Sequence, residues 1–188
     1  LPGYDLRGLK ASALGFNTST RGGCHLRSSM YDFDLKGKVD RFKADKSLGA
    51  MVKEREELWA IVDSLILCKF IRGVLGTIGK FAELYTLVTG IEMPPDQLQK
   101  AGERIYNLEK AYNIREGWTK KDDYPPPRAM EDPIPDGVAK GSLVTKKEFE
   151  LMLNAYFEAR GWNSNGIPTK EKLTELGLDG IAKEIGAA

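Results

Sequence analysis

Apolar residues recur at intervals of three and four along almost the whole chain, with few alternating segments, and a helix is the element that buries such a pattern on one side. From Leu48 to Val62, the residues Leu48, Met51, Val52, Leu58, Trp59 and Val62 share one face, while Lys53, Glu54, Glu56 and Glu57 take the other. A second helix is expected after Pro94-Pro95, with Asp96 in its first turn opposing the positive end of the dipole. Its stripe is Leu98, Ala101, Ile105, Leu108 and Tyr112, and it should run to about Arg115 and stop at Gly117. The third has the clearest start signal. Thr145-Lys146-Lys147-Glu148 is a capping box, in which the hydroxyl serves the third amide and the carboxylate returns to the cap. Phe149, Met152, Leu153, Tyr156 and Phe157 then form a buried face, and Gly161 ends it. Shorter helices are expected over 8–16, 81–88, 169–176 and 179–185, which makes the chain all-α and multi-helical.

Between Thr119 and Leu143 the period disappears, replaced by Tyr124-Pro125-Pro126-Pro127-Arg128 and Asp132-Pro133-Ile134-Pro135-Asp136-Gly137. Three consecutive prolines should stay out of a helix and favour an extended, polyproline-like course. The segment is read as a long irregular strap lying across the helices, anchored by Tyr124, Met130, Ile134 and Val138, with a flexible linker as the alternative.

At 188 residues the chain can fill one core, so a single domain spanning 1–188 is the default. With 28 basic and 27 acidic residues, no bulk electrostatic argument favours nucleic acid or an anionic membrane as partner. No apolar run approaches the roughly 20 residues that span a bilayer. The two cysteines, Cys24 and Cys68, are too few for a disulfide framework, which favours a reducing, cytoplasmic setting. Leu1-Pro2-Gly3 has neither initiator Met nor signal-peptide regions, so a processed piece or an excised fragment of something longer is expected.

Two segments concentrate chemistry. Thr18-Ser19-Thr20-Arg21-Gly22-Gly23-Cys24-His25-Leu26-Arg27 holds the only histidine, one of the two cysteines, a Gly-Gly pair and two arginines. Guanidinium forks and glycine amides suit a phosphate-bearing ligand. A tight turn with solvated arginines and a hydrogen-bonded core histidine is the plainer alternative. Asp63-Ser64-Leu65-Ile66-Leu67-Cys68 puts an acid and a thiol at a helix exit. The acid entering an apolar turn is costly unless it is paired or hydrogen-bonded, whereas the cysteine by itself reads most simply as a small buried apolar residue. Other signals fail. Gly73, Gly76 and Gly79-Lys80 lack the phosphate-loop spacing, since Val74 stands where glycine is needed and Phe81 replaces the magnesium-binding hydroxyl. The sequon Asn17-Thr18-Ser19 is coincidental in a cytosolic chain, one histidine with so few cysteines builds no structural zinc site, and no Ser-His-Asp order is defensible.

Taken in order, Tyr4-Asp5-Leu6-Arg7-Gly8, Ser19 through Arg27 and Asp63 through Cys68 resemble the C-terminal part of the tungsten-containing aldehyde ferredoxin oxidoreductase family. The likeness continues in Arg104-Ile105-Tyr106-Asn107-Leu108-Glu109, Asn113-Ile114-Arg115-Glu116-Gly117, Lys121-Asp122-Asp123, Pro126-Pro127-Arg128, Arg160-Gly161-Trp162 and Gly166-Ile167-Pro168-Thr169. The resemblance implies a helical C-terminal domain covering a bis-pterin tungsten or molybdenum cofactor (a molybdopterin-type group) that lies on an N-terminal pterin-binding domain outside this chain. It implies that Asp63 hydrogen-bonds a pterin and that Leu67 and Cys68 complete an Asp-x-x-Gly-Leu-Cys type motif, with Ile66 in place of its glycine. Cys68 would then be the fourth ligand of a 4Fe-4S cluster. Arg21 matches a cofactor-contacting base, His25 a histidine that reaches the metal centre and bonds the substrate carbonyl or an oxygen on the metal, and Arg27 a basic position two residues later.

The implied reaction is oxidation of an aldehyde to a carboxylic acid, with ferredoxin accepting the electrons. The implied partners are the remaining N-terminal domains, ferredoxin and a small aldehyde, with a homo-oligomer left open. No Cys-x-x-Cys-x-x-x-Cys run is present, so the chain alone is expected to retain no complete cofactor and to be inactive in isolation. Two alternatives stand beside this one: a stand-alone helical interaction module, and a related branch acting on formaldehyde, sugar-phosphate aldehydes or aromatic thioesters.

Overall fold

The computed structural model describes residues 3–71 and 76–187. Among these, ten α-helices follow one another: α1 (Lys10–Asn17), α2 (His25–Ser28), α3 (Tyr31–Leu35), α4 (Ser47–Ser64), α5 (Ile78–Thr89), α6 (Pro95–Arg115), α7 (Pro127–Glu131), α8 (Lys146–Arg160), α9 (Lys170–Glu175) and α10 (Asp179–Glu184). Short 3-10 turns lie at Leu6–Gly8, Lys69–Ile71, Lys120–Asp123 and Gly137–Ala139. No strand forms among the described residues, where Trp162 and Pro168 make an isolated bridge. The all-α expectation holds.

Local signals placed the long helices well. α6 begins with Pro95 at its first position, where a missing N–H costs nothing, and ends at Arg115. α8 starts at the capping box: Glu148 N donates to Thr145 Oγ1 at 3.2 Å and Thr145 N donates back to Glu148 Oε2 at 2.9 Å. It stops at Gly161, whose φ of +68° is the left-handed cap glycine adopts readily.

α4 is the axis on which α8, α6, α1 and α2 pack. Two glycines permit the closest approaches. A Cβ on Gly49 would stand 2.6 Å from the backbone of Ala155 and Tyr156 on α8, and one on Gly102 of α6 would stand 2.7 Å from the Glu57 carbonyl oxygen. The main core joins Leu14, Met30, Val52, Tyr106, Phe149 and Tyr156. A second cluster ties Trp59, Ile61, Phe81 and Leu98 of α4, α5 and α6, and a third, around Leu173 and Leu178, closes the C-terminal end.

The polar faces read from the sequence are corrected in two helices. Glu56 and Glu57 of α4 are buried rather than solvated. Arg160 of α8 donates to Glu56 at 2.6 Å and to Glu57 at 2.9 Å, and Tyr156 donates its hydroxyl to Glu56 at 2.6 Å. On α6 the expected stripe is displaced: Leu108 and Tyr112 are exposed, while Gly102, Tyr106, Asn107 and Lys110 face the core. Each inward polar group has a partner. Tyr106 donates to the Thr18 carbonyl at 2.9 Å, Trp162 Nε1 donates to Asn107 Oδ1 at 2.8 Å, and Lys110 pairs with Asp123 at 3.2 Å. Buried polar groups are tolerated when matched in this way, and the matches come from other elements.

The strap is also more structured than expected. Tyr124 and Pro126 are extended, but Pro127 opens α7 as its first residue, so a proline run can abut a helix N-terminus. Tyr124 holds it down by donating to Glu150 at 2.9 Å and packing on Phe149, as does the buried Ala129, whose carbonyl accepts from Val144 N at 2.9 Å. Met130 and Ile134 are half-buried. Val138 is not an anchor; it is fully exposed on the 3-10 turn.

Candidate functional site

The two segments singled out by their chemistry meet. α1 ends at Asn17, the chain passes through a turn over Ser19 to Gly23, and α2 begins at His25. Trp59 of α4 donates its Nε1 to the Ser28 carbonyl at 3.1 Å, which fixes α2 against α4. The exit of α4 therefore lies beside the loop. Arg27, with 3% of its side chain exposed, donates Nη1 to Asp63 Oδ2 at 3.0 Å, and Arg21 Nη1 lies 3.6 Å from the same oxygen.

Lys69, next to Cys68, completes the arrangement. Its Nζ is 3.1 Å from the Asp63 carboxylate and donates to the Leu26 carbonyl at 3.0 Å, bridging the two segments. Asp63 thus has three cationic neighbours, although nothing nearby in sequence before it could neutralise it. A further carboxylate, Glu109 of α6, receives Arg27 Nη2 and Thr20 Oγ1. Three cations face two carboxylates, so the cluster carries a positive excess suited to an anionic ligand.

Burial opposes the charge on Arg27, but Glu109, Tyr106 and Asp63 outweigh it and hold the guanidinium above its ordinary value. Burial pulls the Lys69 ammonium down, with Asp63 opposing. Burial pushes the Cys24 thiol up, yet the Leu26 amide and the Arg21 guanidinium, whose Nη2 lies 3.4 Å from Sγ, leave it below the usual thiol range.

α4 ends in a tight reversal. Leu67 N donates to the Val62 carbonyl and Ile66 N to that of Asp63, both at 3.1 Å, which is the paired bonding of a Schellman cap. Ile66 occupies the left-handed position with φ +58° and 93% exposure. A β-branched side chain is poorly tolerated there, which gives a physical reason for glycine in the simplest form of the motif. The reversal turns Leu67 toward the second core cluster and leaves Cys68 exposed. The small-buried-residue alternative for Cys68 is overturned.

His25 is half-buried against two aromatic rings, Tyr4 at 5.6 Å and Tyr31 at 5.9 Å between centroids. Tyr4 and Tyr31 stack on each other at 4.7 Å. Tyr4 also borders a cleft of about 720 Å³ walled by Phe16, Thr20, Gly22, Trp118 and Tyr124. Tyr4 thus touches both the imidazole and the cleft.

One observation tests whether this cluster suits a heterocyclic cofactor. Arg27 Nε is buried without a hydrogen-bond partner, an omission that costs about 1–3 kcal/mol. Its burial keeps it from a ligand, whereas Asp63 with 30% and Arg21 with 46% of their side chains exposed stay within reach of a polar heterocyclic edge, so the accessible acceptor and donor fit such a group. No group of three or more His, Cys, Asp or Glu side chains is placed to hold a metal among the described residues. An iron–sulfur cluster takes four ligands, of which Cys68 would be one. Elsewhere, Lys80 pairs with Glu83 at 2.8 Å and Phe81 is buried, while Gly73 and Val74 lie outside the described residues.

Sequence reasoning missed Lys69, Tyr4 and Glu109 as contributors. A signal for the α6 residues exists in the spacing of Glu103, Tyr106, Asn107 and Lys110, a polar stripe at helical period inside an otherwise apolar packing partner.

The fold and the site together define an all-helical domain in which the acid–thiol exit of one long helix meets a basic loop bearing the sole histidine. Residues 1–178 match the family described as aldehyde ferredoxin oxidoreductase, domains 2 and 3, and the chain belongs to that family. It is 36% identical over 183 residues to the tungsten-containing aldehyde ferredoxin oxidoreductase of Pyrococcus horikoshii, covering 95% of this chain and 30% of that protein. The enzyme of the same name from Pyrococcus furiosus is also 36% identical, over 182 residues, covering 95% of this chain and 29% of that protein. The chain therefore spans less than a third of the length of these relatives. Among solved structures, the active-site complex BamBC of benzoyl coenzyme A reductase, in complex with 1,5-dienoyl-CoA, is similar with a TM-score of 0.60 and 29% identity. That match covers 73% of this chain and 20% of the other. No helix among the described residues is long and apolar enough to cross a membrane.

Proposed function

We propose that this chain is the C-terminal, cofactor-covering part of a tungstopterin and iron–sulfur oxidoreductase that converts an aldehyde and water to a carboxylic acid, two protons and two electrons, with ferredoxin as acceptor. The observation that carries the reading is the junction of Arg27 with Asp63 beside an exposed Cys68, in a chain of this family. When bound, the tungsten or molybdenum bis-pterin group supplies the two-electron chemistry and the 4Fe-4S cluster the route outward.

The chain's own residues have simpler tasks. Asp63 offers carboxylate acceptors to a heterocycle's N–H groups while Arg27 and Lys69 hold it in place. Arg21, half-exposed, meets an anionic edge. His25, steadied by Tyr4 and Tyr31, holds or moves a proton at a ring nitrogen beside the substrate carbonyl. Cys68 Sγ would hold one iron of the cluster, and Leu67, packed on the hydrophobic cluster around Trp59, anchors the turn before it. The cleft of about 720 Å³ beside Tyr4 has room for a small aldehyde and the water consumed with it. The remaining partners are the enzyme's own N-terminal pterin-binding domain and ferredoxin, in a cytoplasmic setting, with a homo-oligomer compatible.

Metal and iron analysis of the complete enzyme with Cys68→Ser tests the reading. Iron content should fall and electron transfer should fail, and unchanged iron would sink the ligand assignment in favour of a helical module without a redox role. In parallel, His25→Ala should lose most turnover with tungsten retained, and full activity would remove it from the mechanism. A branch with a different substrate is the second reading, favoured by the likeness to a structure described as a benzoyl coenzyme A reductase complex.

A further inference from the structure

α6 reaches the His25 loop at two places. Glu109 Oε2 accepts from Thr20 Oγ1 at 2.7 Å and also from Arg27 Nη2. Asn113, one turn further along α6, donates Nδ2 to the Thr20 carbonyl at 2.8 Å. Thr20 and Arg27 bracket the segment from Arg21 to Leu26, which contains Cys24 and His25. Arg27 passes the tie onward to Asp63. One carboxylate therefore joins the two ends of the loop to each other and, through Arg27, to the exit of α4.

Other ties reach its later part: Lys69 Nζ donates to the Leu26 carbonyl at 3.0 Å and His25 packs on Tyr4 and Tyr31, whereas the Arg21–Cys24 turn is held by weaker contacts. Gly22 has φ +78° with nothing near where a Cβ would stand. That turn has long bonds from Arg21 N to Ser19 Oγ at 3.4 Å, from Gly22 N to the Ser19 carbonyl at 3.2 Å and from Arg27 N to the Cys24 carbonyl at 3.4 Å, with Arg21 also 3.4 Å from Cys24 Sγ and 3.6 Å from Asp63. A glycine-rich turn with such long internal bonds depends on its anchors at Thr20 and Arg27 for its shape.

We propose that Glu109 is a positioning residue: acting through Thr20 and Arg27, it sets where Arg21 and His25 stand relative to Asp63. The inference rests on the proposed function for its catalytic consequence, but its structural part stands on this chain alone. A small displacement of a proton-handling group is costly to turnover, whereas a half-exposed ion pair contributes little to global stability. The two roles of Glu109 are thus separable by measurement.

The test uses Glu109→Ala and the conservative Glu109→Gln, which keeps an oxygen acceptor for Thr20. On the 188-residue chain, amide hydrogen exchange is followed residue by residue, and Cys24 alkylation by iodoacetamide is timed in a Cys68→Ser background. Glu109→Ala should speed exchange over 21–27 and Cys24 alkylation by about tenfold, leave α8 and α9 unchanged, and be partly rescued by Glu109→Gln. In the complete enzyme, Glu109→Ala should lower kcat by about tenfold or more with KM and tungsten content little altered. Unchanged exchange over 21–27 would overturn the proposal, as would acceleration spread evenly over all helices, or a loosened loop with undiminished kcat. Each of these is distinct from failure of the functional reading itself, which shows as full activity in His25→Ala.

Discussion

Arg27 Nη1 donates to Asp63 Oδ2 at 3.0 Å, and this bond joins a buried cation of the His25 loop to a part-exposed anion in the last turn of α4. The asymmetry of burial decides how each partner responds to removal. Without Arg27, Glu109 loses its cation, while Asp63 keeps Lys69 at 3.1 Å and Arg21 at 3.6 Å. Without Asp63, Arg27 retains Glu109.

Arg27→Met should therefore cost about 2 kcal/mol, below the full penalty of a buried pair because water reaches both carboxylates. Asp63→Asn, which keeps an acceptor oxygen, should cost about 1 kcal/mol or less. Urea unfolding of the two variants measures both values. An Asp63→Asn loss equal to that of Arg27→Met would contradict the assignment of Arg27 as the buried hub.

Ile66 holds the left-handed cap of α4 at φ +58° while contributing almost no burial. Ile66→Gly relieves a backbone strain of about 1–3 kcal/mol against an unfolded-state entropy cost of about 0.5–1 kcal/mol. A net gain of about 1 kcal/mol is expected, or roughly 2–4 °C in Tm for a domain of this size. Thermal unfolding reads it directly, and a lower Tm would show that Ile66 is not strained.

Arg160 neutralises two buried carboxylates, Glu56 and Glu57. Arg160→Met should destabilise the fold by about 3–5 kcal/mol at neutral pH. Burial already pushes the Glu56 carboxyl above its ordinary value, with the Arg160 guanidinium opposing, so the variant raises it further. A raised carboxyl contributes stability below its unfolded pKa and loses that contribution as pH rises through the folded value. The deficit should thus shrink near pH 4, and Glu56→Gln should restore part of it at pH 7. Denaturant unfolding at both pH values decides. A deficit independent of pH would exclude Glu56 as the stranded charge.

Lys110 and Asp123 are buried together, with the Trp118 Nε1 also donating to Asp123 at 3.2 Å. Burial lowers Lys110 from 10.5 to about 8 and raises Asp123 from 3.8 to about 6. The Asp123 contribution to stability is full below 3.8 and is lost as pH rises through about 6. That of Lys110 is full above 10.5 and is lost as pH falls through about 8. Relative to Lys110→Met/Asp123→Asn, the parent should lose stability on going from pH 4 to 6 and regain it from pH 8 upward. A difference that is flat, or of opposite sign, in both windows would refute the account. Lys110→Met alone should be worse than the double substitution, because it strands Asp123.

The helices α4, α6 and α8 were legible in the sequence because their signals are local. A proline at a first turn, a capping box and a glycine at a C-cap act within a few residues and need no partner from elsewhere. The juxtaposition of Arg21 and Arg27 with Asp63 was legible through family resemblance, whereas no spacing rule connects positions 27 and 63.

What only the tertiary structure decided is which polar groups lie inside and what matches them. Glu56 and Glu57 read as a solvated face until Arg160, Tyr156 and Thr18 arrive from other helices. The inward turn of α6 follows from Tyr106, Asn107 and Lys110 finding partners at Thr18, Trp162 and Asp123. Burying a charge or hydroxyl is unfavourable by several kcal/mol until its complement is present, and the complement is distant in sequence. By itself, the sequence determined an all-α chain of one family with a basic histidine loop and an acid–thiol helix exit. Packing determined that Arg27 of the loop meets Asp63 of the exit, that Lys69 joins them, and that Glu109 bonds both Thr20 and Arg27.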